Sequence, residues 1–372
     1  MDADGAEAVR AFWKRCKGLH IWLVCLAAFF AAFALLRQNR AVMDWLCRRV
    51  LLPWEQTVGR LCSYLSISVA EVLILTLLMA AFFAGVWWVR RLIATRFDGV
   101  VFYRGVLTLI CAALTVWAGF RLLWTPFYQA ESFQEKSGIV AVGGTAGELQ
   151  ELTARFAAEL SACADEVPRD ENGCFAVPRR EILAAAADSY DVLAGEFPFL
   201  EMEARAPKAF AASRALSRLN FTGFYFPFTG EANVNIDSPA AFLPATVCHE
   251  MAHQRGIASE QECNFLGILA AVRSDKAAYR YSGYLEGYLY LANALYRTDG
   301  DAWREIRESL PDEVICDLQA NNRYWAQFEG PVKETAQTVY DEFLKANGDE
   351  NGIRSYGMVV DLLLAYYSDL SN

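Results

Sequence analysis

Three apolar stretches in the first third of this 372-residue chain constrain its folding more than any other feature. They run roughly from Leu19 to Leu36, from Ser66 to Val89 and from Gly105 to Leu123. Each has about the twenty residues that a helix needs to cross the hydrocarbon layer of a bilayer, where an open chain cannot satisfy its backbone groups. The chain as a whole is 55% hydrophobic, too apolar for an ordinary soluble enzyme, and the excess is concentrated in these stretches. The sequence therefore predicts a membrane domain over residues 1–124, with three transmembrane helices, followed by a globular domain over residues 125–372.

The flanks support retention of all three. Arg10, Lys14, Arg15 and Lys17 precede the first stretch and Arg37 and Arg40 follow it; it is long for a signal-peptide core and lacks a small-x-small cleavage site. The third ends at Trp124 and Tyr128, aromatics suited to the headgroup layer. Glu71 and His20, at the starts of the second and first stretches, read as interfacial. Between the first two, Ala41 to Leu65 carries Trp45, Trp54, Arg48, Arg49 and Arg60, an amphipathic pattern expected to lie on the membrane surface. From Thr125 onward there are 37 acidic against 20 basic residues. The anionic cytoplasmic leaflet would repel such a domain, and three spans with the N-terminus inside place it outside. Of the cysteines, Cys163 and Cys174 flank an acidic loop and form one expected disulfide; reduced, buried thiols are the alternative.

The globular part is mostly helical in pattern. Gly147 to Ala164 and Arg179 to Leu193 have apolar residues at three-and-four spacing, and three further helices are expected from Asp301. Met358 to Tyr367 is apolar but too short to cross a membrane. The exception is the aromatic, glycine-broken run from Phe221 to Gly230, followed by strict alternation from Glu231 to Asp237. That alternation predicts a strand with Ala232, Val234 and Ile236 inward and Glu231, Asn233 and Asn235 outward, placed to align an extended peptide; a purely structural hairpin is the alternative. The fold class is thus mainly α, with N-terminal transmembrane helices and a helical domain containing a small β element.

The chemistry centres on Cys248-His249-Glu250-Met251-Ala252-His253. On a helix, residues four apart share a face, so His249 and His253 can place two imidazoles on one zinc ion with Glu250 beside them. Zinc lowers the pKa of a water it holds, and an unligated carboxylate can take that proton. These are two of only three histidines in the chain. A third donor must come from elsewhere, and Glu260 and Glu262 compete for that position. Ser259 and Glu262 have capping-box spacing, whereas Glu260 and Asn264 share a face. Glu260 is therefore the expected third ligand, Asn264 the partner that orients His249, and Glu262 the alternative ligand.

The His-Glu-x-x-His run followed by Glu260 and Asn264 resembles the gluzincin pattern of thermolysin-like peptidases. More closely, Pro227 to Asn235, His249 to Gly256 and Glu260 to Phe265 resemble bacterial domain-of-unknown-function family 3810, as do Tyr281-Ser282-Gly283-Tyr284 and Ser355-Tyr356-Gly357. The resemblance implies a multi-pass protein of the bacterial cell membrane with a zincin-like domain, a zinc ion and a peptide or protein substrate. Asn264 stands where thermolysin-like enzymes have an aspartate, and no histidine remains to stabilise an oxyanion. Tyr281, Tyr284 and Arg280 are the candidates for that donor, with Tyr284 preferred.

A membrane zinc-binding sensor or assembly factor with little turnover is the rival expectation. An intramembrane protease is excluded by the polar residues before the metal motif. There is no phosphate loop, dinucleotide fingerprint or basic nucleic-acid patch. Substrate specificity and oligomeric state are not encoded in any motif.

Overall fold

The computed structural model describes residues 13–347 and 356–369, so Arg10 and Ser355 lie outside the described residues. Three long apolar helices lead the chain: α1 (Lys17–Leu36), then, after α2 (Arg40–Leu46) and α3 (Leu52–Ser63), α4 (Val69–Ala94) and α5 (Gly99–Leu123). Their side chains are largely exposed, and all three are long and apolar enough to cross a membrane. The protein is membrane-anchored. α4 continues past Arg90 and Arg91, and α5 starts six residues before Gly105. Helix ends follow backbone capping rather than the edge of apolarity: Asp98 accepts the amides of Val100 and Val101, and Ser68 accepts that of Glu71. His20 bonds the Tyr103 hydroxyl at 2.8 Å and joins α1 to α5.

A π-helical turn, Cys47–Leu51, joins α2 to α3. This pair buries Met43, Cys47, Leu51 and Glu55 against the rest of the chain and exposes Trp45, Trp54 and Leu61. Beyond α5 come α6 (Phe133–Ser137), α7 (Ala146–Ala164), α8 (Arg179–Ala184) and α9 (Asp191–Glu196). The single helix expected from Arg179 to Leu193 is thus broken by a 3-10 turn at Ala187–Tyr190. Next follow β1 (Lys208–Ala209), α10 (Ser213–Arg218), β2 (Gly223–Phe226) and β3 (Glu231–Val234). The chain closes with α11 (Leu243–His253), α12 (Glu260–Val272), α13 (Ala277–Thr298), α14 (Gly300–Glu308), α15 (Asp312–Ala326), α16 (Pro331–Asn347) and α17 (Tyr356–Asp369). The fold is mainly α, with one small sheet. Its core lies where α7, α11, α12 and α13 meet, around Phe156, Leu160, Phe265, Leu266, Leu285 and Leu291, all fully buried.

The sheet corrects the expected substrate strand. Strand order is β1-β3-β2, with β1 parallel and β2 antiparallel to β3, so β3 is central. All four of its residues are buried. Helix α11 packs on β3, and α3 and the start of α4 lie against the same strand. The polar side chains predicted to face outward are consequently inside, and each is satisfied there. Glu231 accepts the Val69 and Ala70 amides at the N-terminus of α4, at 3.2 and 2.8 Å, and pairs with Lys208 at 2.8 Å. Ser68 donates to Asn233, and Asn235 donates to Ser217 and to the Phe221 carbonyl. Glu231 and Asn233 dock the second span onto the sheet, Asn235 ties β3 to α10 and the loop after it, and all three side chains are buried rather than presented on an open face. Glu71 does similar work, accepting the amides of Ala211 and Ala212 just before α10.

This assignment makes a prediction. Glu231→Ala leaves two helix-end amides without their acceptor and removes the partner of the half-buried Lys208, which keeps the Cys62 and Ile67 carbonyls, a loss of about 1–3 kcal/mol, the usual cost of unsatisfied buried groups. Thermal unfolding in detergent should shift down by a few degrees; an unchanged melting temperature would overturn the docking role.

The disulfide also differs from expectation. Cys174 is bonded to Cys316 at the start of α15, with Cα atoms 5.4 Å apart, while Cys163 is a buried free thiol on α7. Pairing of Cys174 with a cysteine 142 positions away follows from the packing of α15, which also brings Asp317 to the Phe175 amide.

Candidate metal centre

Helix α11 starts with Pro244 in its first turn, where a missing amide costs nothing, and runs to His253. His249 and His253 lie one turn apart on it, their rings 4.9 Å apart and nearly perpendicular. Helix α12 comes close alongside because residue 267 is glycine: a Cβ there would lie 3.0 Å from the His249 amide nitrogen. The first residue of α12, Glu260, is thereby brought to both histidines. Its carboxylate oxygens lie 3.2 Å from His249 Nε2 and 3.6 Å from His253 Nε2. One donor atom from each of the three residues falls within 4.8 Å of the others, so the group could hold a metal ion.

The surroundings orient these donors. His253 Nδ1 is 2.8 Å from the Ile257 carbonyl, which can only accept, so Nδ1 carries a proton and Nε2 is the ring nitrogen that faces Glu260. The Cys263 thiol donates to the same carbonyl. Burial works to raise the Glu260 carboxyl, but the two imidazoles outweigh it and hold this group well below the usual carboxylate range. Tyr340, from α16, donates its hydroxyl to Glu260 Oε1 at 2.7 Å.

Glu250 is 3% exposed, and its Oε2 has no hydrogen-bond partner. Burial pushes its carboxyl up to about 7. Around it opens a cleft of about 670 Å³, bordered by Trp124, Tyr225, Leu289, Asn321, Gln337 and Phe343. Glu286 on α13 also lines this cleft, and burial raises its carboxyl to about 7 as well.

Three expected roles are corrected. Glu262 turns away from the histidines and accepts the Phe133 and Gln134 amides at 2.9 and 3.1 Å, so it anchors α6 and is not a ligand. Ser259 forms no side-chain cap, and the expected capping box is absent. Tyr284 packs edge-on against Phe156, away from the cleft; Tyr281 bonds Asp317 and Arg280 pairs with Glu166. At 100° per residue, Tyr284 lies about 200° around α13 from the cleft-facing Glu286. Asn264 lies on the cleft wall, but none of the described hydrogen bonds joins it to His249.

Tyr340 and Glu286 were missed because nothing near them in sequence marks them. Lys333, Gln337, Tyr340 and Leu344 do share one face of α16 by helical spacing, and all four border the cleft. That spacing identifies an inward face without saying what it meets.

Fold and site together define a membrane-anchored, mainly helical protein with a His-His-Glu group able to hold a metal ion. The chain belongs to the family described as "Protein of unknown function (DUF3810)", whose sequence model matches residues 48–364. No curated protein and no solved structure matches it.

Proposed function

We propose that this protein is an integral membrane zinc metallopeptidase with its catalytic domain on the extracytoplasmic side. The observation that carries the proposal is the convergence of His249, His253 and Glu260 beside Glu250, a buried carboxylate with an unpartnered oxygen facing the same cleft. Two imidazole nitrogens and one carboxylate suit zinc, and the Nδ1 proton of His253 leaves Nε2 as the nitrogen directed at the centre. Zinc held by these residues supplies Lewis acidity to water and to a peptide carbonyl.

The chain's own groups account for the rest. Glu250 would accept a proton from water in the cleft and return it to the leaving nitrogen. Tyr340, whose hydroxyl already lies at Glu260, would turn towards a developing oxyanion, the role first sought at Tyr284. The edge strand β2 borders the cleft, so backbone pairing of an extended peptide would use Gly223 to Tyr225 in place of β3.

The test is zinc content of the purified protein together with cleavage of a mixed peptide library, blocked by a chelator and restored by zinc. A folded protein with no stoichiometric metal would overturn the proposal. Tyr340→Phe should retain the metal and lose about 10²–10³-fold in turnover, the usual cost of one oxyanion donor. A variant with full turnover removes Tyr340 from the chemistry.

The Cys174–Cys316 bond supports an oxidising compartment for this domain, and its acidic charge supports placement away from the anionic cytoplasmic leaflet. Non-reducing peptide mapping of protein taken directly from membranes should find the two cysteines linked. Both thiols free and alkylatable in intact membranes would count against the extracytoplasmic placement.

A further inference from the structure

The cleft opens beside the end of the third span. Phe120, near the C-terminus of α5, and the following Trp124 and Tyr128 border it. The Trp124 ring is 5.0 Å from that of Tyr225 on β2 and 5.7 Å from the His253 imidazole. Strand β2 connects the two levels. At its start, a Cβ on Gly223 would lie 2.5 Å from Glu250 Oε1. Just beyond its end, Phe228 packs on α5 so closely that a Cβ on Gly119 would lie 2.9 Å from its ring. Gly119 is inside the span by about 6 Å of helix rise. The strand itself covers about 13 Å at the usual rise per residue. Glu250 therefore stands one short strand from the end of the third span.

The opposite wall is α16. Its Phe343 lies edge-on against Phe120 at 5.4 Å, and its Tyr340 against Phe221 at 5.1 Å. The same helix exposes Val332 and Val339, 61% and 64% accessible, beside Leu219. Together with Pro331 and Phe221 these residues border an apolar hollow of about 660 Å³. Through the Phe343–Phe120 contact this face continues the apolar side of α5, where Val116 and Trp117 are exposed. An exposed apolar face continuous with a lipid-facing span is most simply covered by the same lipid.

We propose that the apolar face of α16 is seated in the bilayer surface, so that the cleft opens onto the membrane and its substrate is the juxtamembrane segment of a membrane-anchored polypeptide. A peptide paired along β2 has one end beside Glu250 and the other at the level of Phe228, within the apolar layer. A soluble peptide would have to carry its polar end there. A chain that continues into its own membrane anchor is already there. The substrate assignment rests on the peptidase proposal; the bilayer contact does not.

The test uses the full-length protein in phospholipid nanodiscs, with p-benzoylphenylalanine in place of Val332 or Val339. The same probe replaces Leu78, exposed on α4, as the lipid-facing reference, and Arg304, exposed on α14, as the aqueous one. After irradiation, mass spectrometry should find phospholipid adducts at 332 and 339 in yields like those at 78, and none at 304. Adducts at 78 alone, or cross-links from 332 and 339 to a second copy of the chain, would overturn the bilayer contact. In vesicles, the wild type is then given a polyleucine span with a long mixed-sequence tail. Cuts are expected within about ten residues of the span, the reach set by the strand's rise per residue. Cuts spread evenly along the tail would overturn the substrate assignment. If lipid adducts form but nothing is cut, the peptidase proposal fails, the substrate assignment falls with it, and the bilayer contact stands.

Discussion

Glu260→Ala is expected to empty the metal centre, and Glu262→Gln to leave it filled. Only Glu260 has its carboxylate at both imidazoles; Glu262 is committed to the amides of Phe133 and Gln134. Two imidazoles one turn apart make an incomplete site, because zinc centres hold the ion with at least three protein donors. The loss in affinity should exceed the roughly 10–100-fold that follows removal of an outer hydrogen-bond partner. Measured by metal analysis after dialysis against a competing chelator, zinc per chain should fall from about one to near zero in the first variant. The fold should survive, since Glu260 opens α12 and is partly exposed, whereas Glu262 lies against the core and keeps an accepting oxygen as glutamine. Loss of metal in Glu262→Gln with retention in Glu260→Ala would refute the ligand set.

Glu250→Gln separates the enzyme from a metal-binding sensor. Glutamine preserves the shape but cannot take a proton, so turnover should fall by about 10²–10⁴-fold, the usual contribution of a general base. The metal should remain. Stability should hold or rise, because Glu250 is buried with one oxygen unpartnered, and a neutral amide is cheaper to keep there. Loss of turnover with a higher melting temperature would mark a residue held against its own folding preference for the sake of chemistry. If Glu250→Gln leaves peptide cleavage intact, the base lies elsewhere, and Glu286 in the same cleft becomes the next candidate.

How far the sequence reaches depends on the range of the interaction in question. The membrane anchor was legible because crossing a bilayer needs only a long apolar helix, a property of consecutive residues. The pairing of His249 and His253 was legible because a single helical turn brings them together, and Glu260 stood close enough beyond the turn to be weighed as their partner.

The alternation from Glu231 to Asp237 correctly marked a strand but mis-set its surroundings. Alternation shows which residues share a face; whether the second face meets water depends on what packs there. Here α3 and the start of α4 lie against it, and Glu231, Asn233 and Asn235 are sheltered with their hydrogen bonds made. Tyr340 reaches Glu260 from 80 positions away, Glu286 enters the cleft from α13, and Cys174 finds Cys316 across 142 residues. By itself, then, the sequence determined the anchor, the helical class and the paired histidines, all set by spacing along one helix. Only the tertiary structure decided which face of β3 is covered, which tyrosine meets the site, which cysteines join and how near the cleft lies to the end of the third span, because those contacts depend on packing between distant segments.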